Sequence, residues 1–127
     1  MKRVLFVGQI PETVDFSDAA IPPGFNAEKI HAGIAIGMEK IKERGWNADL
    51  CLIPPDRSAA LVLQKQLTSA NYDCVVIGGG IRLPPKSLSL FEVVINAVRK
   101  FAPSASIALN TRPEDTAEAA ARWLQLD

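Results

Sequence analysis

The sequence has little of what most readily identifies a function. Its 127 residues include a single histidine and two cysteines, and acidic and basic side chains are equal in number at 14 each. The formal net charge of zero gives no electrostatic reason to expect a nucleic acid or an anionic membrane as partner. No apolar run approaches the length of a membrane span, and the short one before Gly8 is too brief for a signal-peptide core. We therefore expect residues 1–127 to form a single domain.

The scarce reactive residues exclude several kinds of site. Cys51 and Cys74 each lie within an apolar run, which predicts buried, reduced thiols in a cytoplasmic protein rather than a disulfide or a redox pair. One histidine among scattered carboxylates lacks the spacing of a metal-ligand set, so no metal site is predicted. The nucleophile motif Gly-x-Ser-x-Gly and the phosphate-loop motif Gly-Lys-Ser/Thr do not occur, and no motif identifies a cofactor.

Four short apolar segments alternate with helical patterns along the chain. They lack strict alternation, which is typical of strands covered on both faces. The predicted strands are Arg3–Val7, Ala48–Ile53, Asp73–Ile77 and Ser106–Asn110. This alternation predicts a single α/β domain of the Rossmann-like type, with a four-stranded parallel sheet between two helical layers. Right-handed crossovers favour the strand order 2-1-3-4, as in flavodoxin-like folds. The first and last helices then cover one face, and the second and third cover the other.

Residues at helix ends predict where the first two helices lie. Asn26 is a good N-cap for the first helix, and Gly45 is placed to follow its last turn as the C′ glycine. The second helix is predicted from about Asp56 to about Ala70. Glycines within a helix cost about 1 kcal/mol each relative to alanine. Gly33 and Gly37 therefore predict that the first helix packs closely against the sheet or a partner helix.

Two capping boxes predict the starts of the remaining helices. Ser89-Leu90-Phe91-Glu92 is predicted to open the third helix, since its serine hydroxyl and glutamate carboxylate can each satisfy a free amide. Thr111-Arg112-Pro113-Glu114 is predicted in the same way to open the last helix, which should end near Leu126.

The run Gly78-Gly79-Gly80 directly follows the third strand. Glycines allow positive φ and close approach of another group, and α/β proteins build ligand sites at the carboxyl ends of parallel strands. With strand order 2-1-3-4 the switch point lies between strands one and three, where the first loop, Gly8–Phe25, should meet the segment Gly78–Ser87. The first loop is far longer than the usual two to six or so residues. It is therefore expected to be a lid or binding loop, or else to cover a sheet edge or to make an oligomer contact.

The glycine run does not match known nucleotide-binding fingerprints. A dinucleotide-binding motif would need glycine where Leu83 stands, and a helix directly where Pro84 and Pro85 follow. The segment Gln9–Thr13 does not resemble the FMN loop of flavodoxins, and Gly78 stands where response-regulator receivers keep an aspartate. The likeness to these proteins is therefore one of fold alone.

Two arginines follow neighbouring strands and are expected at the same rim of the sheet. Arg82 and Arg112, with the glycine amides and the start of the last helix, are suited to hold an anionic phosphate- or carboxylate-bearing small molecule. The predicted ligand-binding residues are Gly8, Gln9, Gly78, Gly79, Gly80, Arg82, Asn110, Thr111 and Arg112. In the simpler interpretation, Arg82 pairs with a first-loop carboxylate and Arg112 with Glu114 or Asp115.

His31 is the one candidate for acid–base catalysis. In this interpretation Asp15 or Asp18 of the first loop orients the ring. In the simpler interpretation, His31 flanks the helix and bonds to a nearby backbone carbonyl. The sequence leaves open whether any reaction is catalysed.

A second class of function needs no small-molecule site. Leu88, Leu90 and Phe91, together with the first loop, would then form a surface for a protein partner or for a homodimer. Disruption of a dimer by Phe91→Glu would support this alternative.

Overall fold

The computed structural model describes residues 1–125. Its four strands form one parallel sheet in the order 2-1-3-4, which confirms the predicted topology. In register, Val7 of the first strand lies between Cys51 on one side and Ile77 on the other. The strands are β1 (Arg3–Gln9), β2 (Asn47–Ile53), β3 (Cys74–Ile77) and β4 (Ser106–Leu109).

Helices cover both faces of this sheet. The helices are α1 (Ala27–Glu43), α2 (Ala59–Leu67), α3 (Gly79–Arg82), α4 (Leu88–Phe101) and α5 (Thr116–Leu124). Short 3-10 turns occur at Pro11–Thr13, Pro85–Ser87 and Pro113–Asp115. One core lies between the sheet and α2 with α4, and the other between the sheet and α1 with α5, as predicted. Within residues 1–125, no helix is long and apolar enough to cross a membrane.

The first helix begins and ends where its capping residues predict. The Asn26 side chain accepts a hydrogen bond from the Lys29 amide at 2.8 Å, and Gly45 follows the helix with a φ of +82°. The second helix is shorter than predicted at both ends. Before it, the Asp56 carboxylate accepts a hydrogen bond from the Ser58 amide at 2.9 Å. This local turn competes with the helix and delays its start.

The predicted capping box of the third long helix is wrong. Ser89 lies inside α4, which begins one residue earlier at Leu88. The 3-10 turn Pro85–Ser87 leads directly into the helix, and no side chain caps its amino end. The turn thus shifts the start of the helix by changing the path of the chain before it.

The predicted box before the last helix is also wrong. The Thr111 amide donates to the Asp115 carboxylate at 3.1 Å and the Thr111 hydroxyl bonds to the same group, so the partner is Asp115 rather than Glu114. A 3-10 turn follows, and α5 begins only at Thr116. The helix ends at Leu124. Leu126, near which its end was predicted, lies outside the described residues.

Two glycines bring α1 against the turn that precedes α5. A Cβ at Gly37 would overlap the carbonyl oxygen of Pro113, and one at Gly33 would lie 2.8 Å from a carboxylate oxygen of Glu114. Close packing was the reason expected for these glycines, but the partner is a turn rather than the sheet or another helix. This contact holds the segment after β4 beside the middle of α1.

Candidate functional site

A cavity of about 320 Å³ opens at the carboxyl end of the sheet, between the first loop and the segment after β3. We call it the switch-point cavity, because it lies where the strand order changes direction. Its volume is that of a small ligand site, for which roughly 300–1,000 Å³ is usual. Its walls are Gln9, Thr13, Val14, Asp15, Asp18, Ile21, Pro55, Gly80, Pro84, Lys86, Ser87, Ser89 and Leu90.

Backbone and side-chain bonds shape the start of the first loop. The amide of Ile10 donates to the carbonyl of Ile53 at 2.9 Å, which continues the pairing of β1 with β2 past the strand end. The Gln9 side-chain amide donates to the carbonyl and the hydroxyl oxygen of Thr13 at 3.2 and 3.1 Å. Gln9 therefore lines the cavity while holding the turn beside it. Gly8, the other predicted site residue here, is buried within β1 and does not line the cavity.

Lys86 joins the first loop to the segment after β3. Its ammonium forms an ion pair with Asp15 and lies 3.5 Å from a carboxylate oxygen of Asp18. The hydrogen bond from Lys86 lowers the pKa of Asp15 to about 2, and the same bond raises the pKa of Lys86. Lys86 and Asp15 are each about half exposed, so their pairing adds little to the stability of the fold. One cation and two carboxylates thus face one another in the cavity wall.

The glycine run does not use positive φ: Gly78 is extended, and Gly79 and Gly80 are helical. Gly78 has a φ of −67° and precedes the short helix α3. Its amide donates to the backbone of β1 at 2.8 Å, and the Gly79 amide donates to the side chain of Asn110 at 2.9 Å. A Cβ at Gly79 would lie 2.9 Å from the carbonyl oxygen of Thr111. These two glycines serve internal packing, and only Gly80 is exposed and lines the cavity.

Asn110 uses its hydrogen-bonding groups within the protein. It is 1% exposed, accepts the bond from Gly79 and donates from its side chain to the hydroxyl of Thr116 at 3.0 Å. Its backbone carbonyl accepts a bond from Arg82 at 2.9 Å. Asn110 therefore ties the end of β4 to α3 and α5. It does not line the cavity, so its geometry is that of a structural residue.

The two arginines do not converge on the cavity. Arg82 binds back to the carbonyl of Asn110, and its Nε is buried with no hydrogen-bond partner in the described chain. Thr111 and Arg112 are exposed and lie outside the cavity wall. Within residues 1–125 neither arginine forms an ion pair, so the simpler pairings are not observed either. Of the first-loop carboxylates, Asp15 and Asp18 contact Lys86, and Glu12 contacts His31.

His31 pairs with Glu12, so the expected partners Asp15 and Asp18 are wrong. The His31 Nε2 lies 2.8 Å from a carboxylate oxygen of Glu12, and this hydrogen bond lowers the pKa of Glu12. Because Glu12 belongs to the turn Pro11–Thr13, the pair ties the first loop to α1. Neither residue lines the cavity, and both are well exposed.

Other reactive side chains add no chemistry to this site. Burial raises the pKa of Cys51 to about 11 and that of Cys74 to about 12, so both remain protonated thiols at neutral pH. Among residues 1–125, no group of three or more histidine, cysteine, aspartate or glutamate side chains is placed to hold a metal ion. The chemical character of the cavity is therefore set by Lys86, its two carboxylates and the neighbouring hydroxyl groups.

Sequence reasoning reached the segment that contains Lys86 without singling out this residue. The available signal was a basic residue beside Pro84 and Pro85, in the stretch expected at the switch point. Arg82 stands nearer the glycine run, so the sequence pattern favours it over Lys86. The sequence matches no protein-family model and no curated protein.

Proposed function

We propose that this protein binds a small molecule bearing a phosphate or carboxylate group in the switch-point cavity. The observation that supports this most directly is the contact of Lys86 with Asp15 and Asp18 in the cavity wall. In the protein, the ammonium of Lys86 is paired with carboxylates of the first loop. An anionic ligand would offer the same kind of partner. An incoming anion can therefore exchange with Asp15, and the charge of Lys86 stays compensated throughout.

Other wall residues suit the oxygen atoms of such a ligand. Ser87 and Ser89 bring hydroxyl groups to the wall beside Lys86, and a hydroxyl can rotate to donate a hydrogen bond to an anion. Gln9 lies at the same rim, where its side-chain amide donates to Thr13 and holds the start of the first loop. A cavity with a few convergent polar groups is the usual form of a small-molecule site.

The charges of the cavity wall predict whether each substitution strengthens or weakens binding. One ammonium faces two carboxylates, so the loop carboxylates oppose an anion while Lys86 attracts it. If the ligand is an anion, removing the charge of Asp15 should strengthen binding, and removing that of Lys86 should abolish it. A ligand carrying an amine would show both effects with the opposite sign. The two substitutions together therefore determine the charge of the ligand.

The experiment titrates inorganic phosphate into the parent protein, Asp15→Asn and Lys86→Met at constant ionic strength. Calorimetry and thermal unfolding both report binding, since a ligand at a hundred times its dissociation constant stabilises by about 2.7 kcal/mol. Lys40→Met is the matched control, because Lys40 is an exposed lysine of α1 outside the cavity. We expect the control to bind as the parent does. Unchanged binding by Lys86→Met, or weaker binding by Asp15→Asn, would refute the proposal.

The cytoplasm is the compartment that we propose for this function. Cys51 and Cys74 are both free and buried. Reduced thiols of this kind are usual in cytosolic proteins, where disulfides are rare. We assign no catalytic step to the cavity, because His31 does not line it.

The alternative proposal is an interaction or homo-oligomeric module without a small-molecule site. The predicted patch is not continuous, since Leu88 is 61% exposed whereas Leu90 is buried and Phe91 is half-buried against the core. On α2, Leu61 and Val62 are also exposed, at 72% and 39%. A dimer lost in Leu61→Glu, in a protein whose stability does not respond to anions, would favour this alternative.

A further inference from the structure

A second cavity of about 430 Å³ adjoins the switch-point cavity, between α2 and α4. Its walls are Pro55, Asp56, Arg57, Ala60, Ser89, Leu90 and Val93. Three of these residues, Pro55, Ser89 and Leu90, also line the switch-point cavity. The two cavities are therefore neighbours along these three residues.

The walls of the two cavities differ in chemistry. Lys86 and its carboxylates lie in the first cavity, whereas Ala60, Leu90 and Val93 give the second one a mainly hydrocarbon wall. The carboxylate of Asp56 in the second cavity already has hydrogen-bond partners, because it accepts bonds from the backbone amide and the hydroxyl of Ser58. The groove thus has a polar, charged end beside the first loop and an apolar end between the helices.

We propose that the anionic ligand is amphipathic, with its phosphate or carboxylate group at Lys86 and an alkyl or aryl body in the second cavity. This inference rests on the proposed function, since it needs the anion to bind at Lys86. Leu90 belongs to both walls and is only 7% exposed, so it provides a fixed apolar surface along which the body extends. Arg57 stands exposed at the outer rim, where it can meet a polar group at the far end of the body.

The expected effect follows from the burial of hydrocarbon. A fully buried methylene contributes about four-fold in affinity, and one in a partly open groove contributes less. We therefore expect the affinity for n-alkyl phosphates to rise roughly two- to four-fold per methylene from methyl to hexyl phosphate. Inorganic phosphate and methyl phosphate measure the head group alone, so they report on the proposed function separately.

Ala60→Gln places a longer polar side chain in the wall of the second cavity without changing charge. Ala60 is exposed on α2, so the variant should keep its fold, which chemical unfolding verifies. Ala35→Gln, at an exposed position of α1 outside both cavities, is the matched control. In Ala60→Gln we expect the affinity for alkyl phosphates to rise little with chain length. The affinity for methyl phosphate should stay within about two-fold of that of the parent. In the control variant, the affinity should rise with chain length as it does in the parent.

Each other outcome is decisive. If methyl phosphate binds and the parent series is flat, the amphipathic ligand is refuted and the proposed function stands. A rising series that Ala60→Gln does not change would place the alkyl chain elsewhere and also refute the inference. If neither inorganic phosphate nor any alkyl phosphate binds, the proposed function and this inference both fail.

Discussion

Replacing Asn110 with alanine should destabilise the fold and leave phosphate binding unchanged. The loss of its side-chain oxygen leaves the buried amide of Gly79 without an acceptor, which costs about 1 to 3 kcal/mol. The loss of the bond to Thr116 costs about 0.5 to 1.5 kcal/mol, because the Thr116 hydroxyl still donates to the carbonyl of Pro113 at 2.6 Å. We therefore expect the free energy of unfolding to fall by about 2 to 4 kcal/mol.

Urea denaturation followed by circular dichroism measures this change, and phosphate titration of the folded variant measures binding. The matched control is Asn96→Ala, since the Asn96 side chain also bonds to the backbone, donating to the carbonyl of Glu92 at 2.9 Å, but is exposed on α4. The control should change the free energy of unfolding by no more than about 0.5 kcal/mol. Equal stability of the two variants would refute the structural role of Asn110. A stable Asn110→Ala variant that no longer binds phosphate would instead place Asn110 in the ligand site.

Three further predictions test the packing and the charges. Gly37→Ala would press a methyl group onto the carbonyl of Pro113, so it should lower the free energy of unfolding by about 1 to 3 kcal/mol in chemical denaturation. Gly80→Ala places its methyl group in open space and should not lower it. Equal values for the two variants would contradict the packing. Because its lysine partner lowers the pKa of Asp15 to about 2, the stabilisation lost in Asp15→Asn should be constant above the ordinary pKa of 3.8. It should disappear as the pH falls from there towards 2, and a melting-temperature difference that grows on acidification would contradict the ion pair. Phe91→Glu should lower the stability of the monomer, since Phe91 packs on the core; loss of a dimer in size-exclusion chromatography at unchanged stability would contradict this expectation.

The helix boundaries show where local sequence signals suffice. Asn26 and Gly45 act as predicted, because each works through its own backbone and the turn next to it. The predicted box at Thr111 is wrong because two carboxylates, Glu114 and Asp115, follow the threonine closely in the sequence. The 3-10 turn that precedes α5 brings Asp115 rather than Glu114 to it. Such a choice depends on the path of the chain, which the spacing of residues does not specify.

The glycine run shows a partial prediction of a different kind. Its position at the end of a buried strand correctly indicated the edge of the sheet where a cavity opens. Of the two reasons expected for the glycines, close approach of another group is observed at Gly78 and Gly79, whereas positive φ is not. The neighbours of Gly79 come from Asn110 and Thr111, about thirty residues later in the chain. No local pattern could indicate that contact.

The sequence alone determined the sheet, its strand order and the faces covered by the helices, because these follow from apolar periodicity and the handedness of crossovers. Only the tertiary structure decided the partners of the polar side chains: Lys86 with Asp15, 71 positions apart, and His31 with Glu12. Apolar burial is non-directional and tolerates small shifts, so a pattern of residue types is enough to specify it. Hydrogen bonds and ion pairs require atoms to lie within about 3 Å, so their partners depend on where distant loops come to rest.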